Sequence, residues 1–199
     1  MNRPNIIYLH SHDTGRHVSP YGFAAPTPNI EKFARSGVVF RQAFCCAPTC
    51  SPSRAALLSG QCAHSSGMLG LAHRGFRMND YRQHLAQFMR TAGYSTTLIG
   101  AHHEFAGAGT ITLGYGEVVP IAGELRRAEQ VAPVAAEFIR ARRAKEPFFL
   151  TVGFTDTHRP FPEPGTEDDP RWCRPFAGLP DAPETRAPAL AAAGGPSNQ

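Results

Sequence analysis

Short apolar runs alternate with amphipathic stretches along most of the chain, and that alternation predicts strands separated by helices. Asn5–His10, "NIIYLH", is a compact run of β-formers and reads as a buried strand. "TPNIEKFARSG" reads as a helix, with Thr27 to cap it, Pro28 in the first turn and Gly37 at the exit. "VVFRQAF" reads as a second strand or an extended segment. Ser51 and Pro52 open a helix through Leu58 that Gly60 closes. His84–Thr91 is helical, Gly93 breaks it, and "YSTTLIG" is another strand. Glu124–Lys145 reads as a long basic helix bent at Pro133, and "PFFLTVGF" as the last clear strand. The pattern predicts an α/β fold, a mostly parallel sheet flanked by helices, without internal repeats.

The pattern fades after Pro160. Nine of the chain's 18 prolines fall from there onward, and the ending "APALAAAGGPSNQ" has little to bury. Residues 1–165 therefore read as one folded portion and 166–199 as a Pro/Ala-rich tail.

Composition narrows the partners. A formal charge of +4 over 199 residues favours anionic ligands but is too small for a nucleic-acid surface, and no aromatic–basic stripe changes that. No apolar run approaches membrane-spanning length. The start "MNRPNIIYLH" shows no secretory signal region, so a cytoplasmic protein is the expectation. Cys45, Cys46, Cys50, Cys62 and Cys173 make an odd count without a disulfide-framework spacing, which suggests reduced thiols. A zinc site of Cys46, Cys50, Cys62 and His64 lacks the paired C-x-x-C spacing such sites use. Arg126, Arg127, Arg140, Arg142 and Arg143 read most simply as a solvated helix face.

In open α/β sheets, ligands bind beyond the carboxyl ends of the strands. Three of the expected strands run into polar clusters: Ser11, His12 and Asp13 after the first; His102, His103 and Glu104 after "YSTTLIG"; Asp156, His158 and Arg159 after the last. Five of the nine histidines (His10, His12, His102, His103 and His158) lie there. If the strands are parallel, the clusters share one edge of the sheet.

Cys50 adds to this. It stands immediately before an expected helix, where free backbone N–H groups and the helix dipole favour negative charge. Arg54, one turn on, is placed to fork onto two oxygens of a tetrahedral oxyanion. A buried structural thiol beside a surface arginine is the competing reading.

"CSPSRAALLSGQ" resembles the sulfatase signature, in which C-x-P-S-R directs oxidation of the cysteine to formylglycine. "RPNIIYLHSHDTG", "TPNIEKFARSGVVFRQAFCCAPTCSPSR", "GYSTTLIGAHH" and "PFFLTVGFTDTHRPF" resemble other segments of that family in order, over about residues 3–165. Within the family, "SSGMLGLAHRGF" and "CSPSRAALLSGQ" look most similar to bacterial relatives of heparan N-sulfatase. The resemblance implies a sulfatase/alkaline-phosphatase-like fold, of which this chain carries an N-terminal, incomplete portion. It also implies a mechanism. Cys50, converted by a formylglycine-generating enzyme, supplies a gem-diol that attacks sulfur, and Arg54 orients the diol and its sulfated form. His103 and His158 match histidines that move protons or bind sulfate. Asp13, with His12 beside it, matches the loop that holds a divalent metal, calcium in most relatives.

Three departures from the family pattern stand out. His12 replaces an aspartate, and imidazole suits manganese or zinc better than hard calcium. Ala101 replaces the lysine of the family's "GKxH", and His102 substitutes for it only as an imidazolium. No Asp-Asn metal pair follows His158. The implied function is a sulfuric ester or sulfamate hydrolase acting on a sulfated sugar or other small sulfate ester, without nucleic-acid or membrane partners. The alternatives are a phosphonate or phosphodiester hydrolase of the same superfamily, and a catalytically inactive truncated fragment.

Overall fold

A computed structural model describes residues 3–107, 109–123, 125–142, 146–160, 175 and 179–186. The chain forms two compact units: Met1–His10 with Gln42–Thr155, and Ser11–Arg41 with Asp156–Gln199.

The first unit is built on a parallel sheet of β1 (Ile6–His10), β2 (Ser95–Gly100), β3 (Glu117–Val119) and β4 (Phe148–Gly153), in the order β1-β4-β2-β3. Every residue of β4 is buried, which is why its sequence is a continuous apolar run. Alternate side chains serve opposite faces. Phe148, Leu150 and Val152 pack with Ile99 against Val131 and Ala135 of α5 (Ala128–Ala141). Phe149 turns the other way and joins Leu98, Leu113 and Tyr115 with Ala86 and Met89 of α4 (Leu85–Thr91). Helices therefore cover both faces, as the alternation of elements implies. A third cluster of Ala55, Met68, Ala72 and Met78 seats α2 (Cys50–Ser59), whose exit is the left-handed Gly60 at φ 68°.

Several expectations need correction. The first strand is not buried: β1 is the edge of the sheet, with Ile7 48% and Leu9 62% exposed, because among the described residues only β4 pairs with it. Cys50 is the first residue of α2 rather than the residue before it, and Thr49 is the N-cap. The long basic helix is shorter, Ala128–Ala141, and Glu124 and residues 143–145 lie outside the described residues. Pro133 sits inside α5 on its exposed side, where water can reach the carbonyl that its missing N–H leaves unbonded. Arg140 pairs with Glu137 at 2.7 Å on that helix's surface, whereas Arg142 leaves it to lie over the Phe138 and Phe148 rings. β3 has no counterpart among the expected strands; three residues, one of them a glutamate, between Gly116 and Pro120 are too short a run to signal one.

The second unit holds α1 (Pro28–Arg35). Thr27 does not cap it with its side chain; its Oγ1 accepts the Ser19 N–H at 2.9 Å instead and ties the helix entry to the preceding turn. "VVFRQAF" forms no strand; Val38, Phe40 and Phe44 are exposed. Most of the Pro/Ala-rich tail lies outside the described residues, apart from residues 175 and 179–186. Among the described residues no helix is long and apolar enough to cross a membrane.

The tightest point of the sheet is where β2 and β4 end. The Ala101 N–H donates to the Gly153 carbonyl at 2.8 Å, and a Cβ on Gly153 would lie 2.0 Å from the Ala101 carbonyl oxygen and 2.6 Å from the His10 ring. Gly153→Ala is expected to lower the unfolding free energy by about 3 kcal/mol, because backbone must move to admit the methyl group. Leu9→Thr, on the exposed edge, is expected to change it by less than about 0.5 kcal/mol. Urea denaturation of both variants checks this, and a large loss for Leu9→Thr would contradict the edge position of β1.

Candidate functional site

In the first unit the polar residues gather where β1, β2 and β4 end. His10 closes β1, and its Nδ1 lies 2.7 Å from Nη1 of Arg54. A guanidinium only donates, so Nδ1 accepts and the ring is held neutral with its proton on Nε2. Burial, with the Arg54 charge second, pushes His10 down to about 4. Arg54 is itself buried, at 8% exposure. It lies four residues after Cys50 on α2, so the two side chains share one helix face. Cys50 is half-buried and carries a free thiol in the helix's first turn, beside unbonded backbone N–H groups. Ser51 accepts the Ala72 N–H at 3.0 Å and fixes that end of the helix.

The 102–104 segment follows β2. Glu104 is 2% exposed, and its Oε2 accepts the His103 N–H at 2.8 Å and lies 3.6 Å from His102 Nδ1, an ion-pair distance rather than a hydrogen bond. Burial alone would raise this carboxyl, but His102, then His84 and Arg54, outweigh it and hold Glu104 down to about 2. Glu104 also raises the Tyr115 hydroxyl, whose shift comes first from burial. His84 is fully buried, with Nδ1 accepting the Ala86 N–H at 3.1 Å, so it caps α4; burial lowers its pKa. His102, His103, Glu104 and Arg54 all act electrostatically on His10, which places these groups in one neighbourhood.

The second unit carries the other candidates. His12 is 1% exposed; its N–H donates to the Asp156 carbonyl at 2.8 Å and its carbonyl accepts the Thr157 N–H at 2.7 Å. These bonds bring His158 edge-on to the His12 ring, with centroids 5.6 Å apart. Asp13 is exposed and adopts φ 54°, a left-handed conformation that aspartate tolerates better than most residues. The residues present do not make a metal site. Among the described residues no three His, Cys, Asp or Glu side chains converge to hold a cation, for Asp13 and His12 or for the cysteine-rich alternative at Cys46, Cys50 and Cys62. An imidazole in the donor set is also wrong for calcium.

Of the expected site residues, Cys50, Arg54 and His103 are in the first unit, and His12, Asp13 and His158 in the second. Sequence reasoning gave no role to His10 or Glu104, although both lay in its polar clusters. It missed His84 altogether, because histidine is not a favoured N-cap residue.

Comparison with known proteins identifies the family. Residues 4–177 match the family described as Sulfatase. The chain is 32% identical to human N-sulphoglucosamine sulphohydrolase over 165 residues, covering 78% of this chain and 32% of that protein. It is 27% identical to the arylsulfatase of Klebsiella aerogenes, covering 88% and 46%. A protein solved in complex with its substrate D-glucosamine-2-N,6-O-disulfate superposes with a TM-score of 0.67 at 23% identity, covering 85% of this chain and 36% of that one; at this identity the likeness shows the fold alone. The chain thus spans about a third to a half of the length of these two curated relatives.

The buried groups make stability depend on acid. As pH falls below 6.5 the unfolded chain protonates His10 and His84 while the folded one resists, to about 4 at His10, so stability drops. Below 4.5 the unfolded chain also protonates Glu104, whose folded carboxyl holds out to about 2. That second step is on the order of 3 kcal/mol. Denaturant titrations from pH 7 to pH 2 are expected to show both steps. Glu104→Gln should flatten the lower one, and His84→Asn, which keeps a capping oxygen, should shrink the upper one without removing it, since His10 still contributes.

Proposed function

Because the chain belongs to the sulfatase family, we propose that it carries the nucleophile and part of the sulfate-binding machinery of a sulfuric ester or sulfamate hydrolase. The observation that carries this reading is the buried Arg54, held by His10 at the end of β1 and sharing a helix face with Cys50. A guanidinium held through Nη1 by a neutral imidazole, beside the first turn of a helix, suits a tetrahedral oxyanion at its remaining N–H groups.

Each residue then has a task. Residue 50 fits the modification: it is half-buried, sits among free helix N–H groups and has Arg54 one turn away. Oxidised to formylglycine by its generating enzyme, it would supply a hydrated aldehyde as the nucleophile toward sulfur. Arg54 binds sulfate oxygens and stabilises charge that grows on them. His103, its backbone pinned by Glu104, delivers a proton to the leaving oxygen or nitrogen. For His158, in the second unit, the family resemblance implies sulfate binding or proton transfer. Asp13 and His12 remain the candidate metal loop, but they are too few to hold a cation by themselves, and no step of this reading runs through one. A sulfated amino sugar is the substrate class that the names of the human relative and of the complexed structure support.

Co-expression with a formylglycine-generating enzyme should make the peptide containing residue 50 lighter by about 18 Da, the change from thiol to aldehyde. The modified protein should hydrolyse 4-nitrophenyl sulfate and glucosamine N-sulfate well ahead of 4-nitrophenyl phosphate. Cys50→Ala should abolish turnover, and Arg54→Lys should lower kcat/KM by about 10²-fold, since lysine cannot fork onto two oxygens. Faster phosphate than sulfate hydrolysis would move the chain to the phosphodiester branch of the superfamily. An unmodified thiol with no turnover would leave an inactive fragment.

A further inference from the structure

A pocket of about 370 Å³ opens in the first unit at the carboxyl ends of β2 and β3. Leu98, Val119 and Ile121 line it on the apolar side, and His103, Thr155 and Arg126 on the polar side. Cys50, Arg54 and His10 do not line it, so it is separate from the nucleophile's immediate neighbours and shares only the 102–103 segment with them. The volume falls in the range of small-molecule sites, which combine apolar walls with a few placed polar groups.

The charge in this pocket is one-sided. No acidic side chain lines it, and among the described residues no carboxylate comes within ion-pair distance of Arg126. Arg126 is also fixed from two sides. Its Nη1 donates to the Gly123 carbonyl, and its own carbonyl accepts the Thr155 N–H at 2.8 Å, which ties it to the end of β4. A half-buried cation anchored in this way, next to a threonine hydroxyl and two imidazoles, suits an oxyanion whose carrier lies on the apolar wall.

We propose that this pocket is an accessory subsite for a second anionic group, a sulfate or a carboxylate, on the sugar whose sulfate is cleaved, with Arg126 as its fixed charge. The proposal rests on the hydrolase reading above for the position of the first sulfate. The subsite makes the protein prefer doubly charged sugars: His103 lines this pocket and also acts electrostatically on His10, the partner of Arg54.

Isothermal titration calorimetry tests this with three ligands: glucosamine 6-sulfate, glucosamine sulfated at both N2 and O6, and glucosamine 6-sulfate linked to a uronic acid. Either doubly charged ligand is expected to bind at least about tenfold tighter than the singly charged one, the worth of one charge-assisted hydrogen bond or more. Which of the two gains more identifies the second group as sulfate or carboxylate. Arg126→Gln should erase the preference and Arg126→Lys should keep part of it, with melting temperatures confirming that both variants fold. Equal affinities in the unaltered protein, a preference that survives Arg126→Gln, or no measurable binding of either doubly charged sugar would overturn the subsite. Arg54→Gln separates this from the underlying reading. It should weaken all three ligands alike; if it changes none while Arg126→Gln still erases the preference, the subsite stands and the hydrolase reading falls.

Discussion

The close approach of β2 and β4 at their carboxyl ends is the constraint on which the rest of the first unit depends. Gly100 adopts φ 90°, and a Cβ there would lie 2.2 Å from the Gly153 carbonyl oxygen, so both strands need glycine to end side by side. The register then follows. Gly153 pairs with His10 on one side and Gly100 on the other, the Ala101 N–H bonds to Gly153, and the Phe154 N–H bonds to the His10 carbonyl. Three strands thus release their chains at one level, and His10, His102 and Thr155 emerge within a residue or two of that level. A bulge or slip at this point would move every polar group that follows.

Electrostatics within the unit follow from what that arrangement buries. Arg54 and Glu104 are both nearly inaccessible, which would cost several kcal/mol each if either stood alone. Neither does: Arg54 meets a neutral His10, and Glu104 meets His102 and the His103 N–H. The carboxylate acts on the segment that carries His103, and the guanidinium on the face of α2 that carries Cys50. A single buried negative charge thus sits among Arg54, His84 and His102.

What could be read from the sequence depended on how local the determinant was. β4 and β2 were legible because central strands of a parallel sheet are apolar on both faces, and the exit of α2 because Gly60 is the residue that a left-handed turn favours. The clustering of His10, His102, His103 and Glu104 was legible from strand ends alone. Glu104's burial was not, since a glutamate beside two histidines in a loop looks solvated until Tyr81 and His84 close over it. His84 was hidden because its capping role needs a ring nitrogen aimed at Ala86 N–H, which no residue pattern announces. "VVFRQAF" has the composition of a strand but finds no ladder partner, and composition alone cannot report that.

The first strand shows the same limit in a more consequential place. "NIIYLH" has the character of an interior strand, yet it stands at the edge of the sheet with Ile6, Ile7 and Leu9 exposed. Natural edges are usually shortened, charged or covered, because an open apolar edge is a template for further pairing. β1 has none of these protections among the described residues, and its only ladder is to β4. Its apolar side chains therefore exceed the contacts that this unit provides for them. The human and Klebsiella relatives extend over about two to three times the aligned length. Since His10 both ends β1 and holds Arg54, whatever steadies that edge also steadies the guanidinium to which the proposal assigns sulfate.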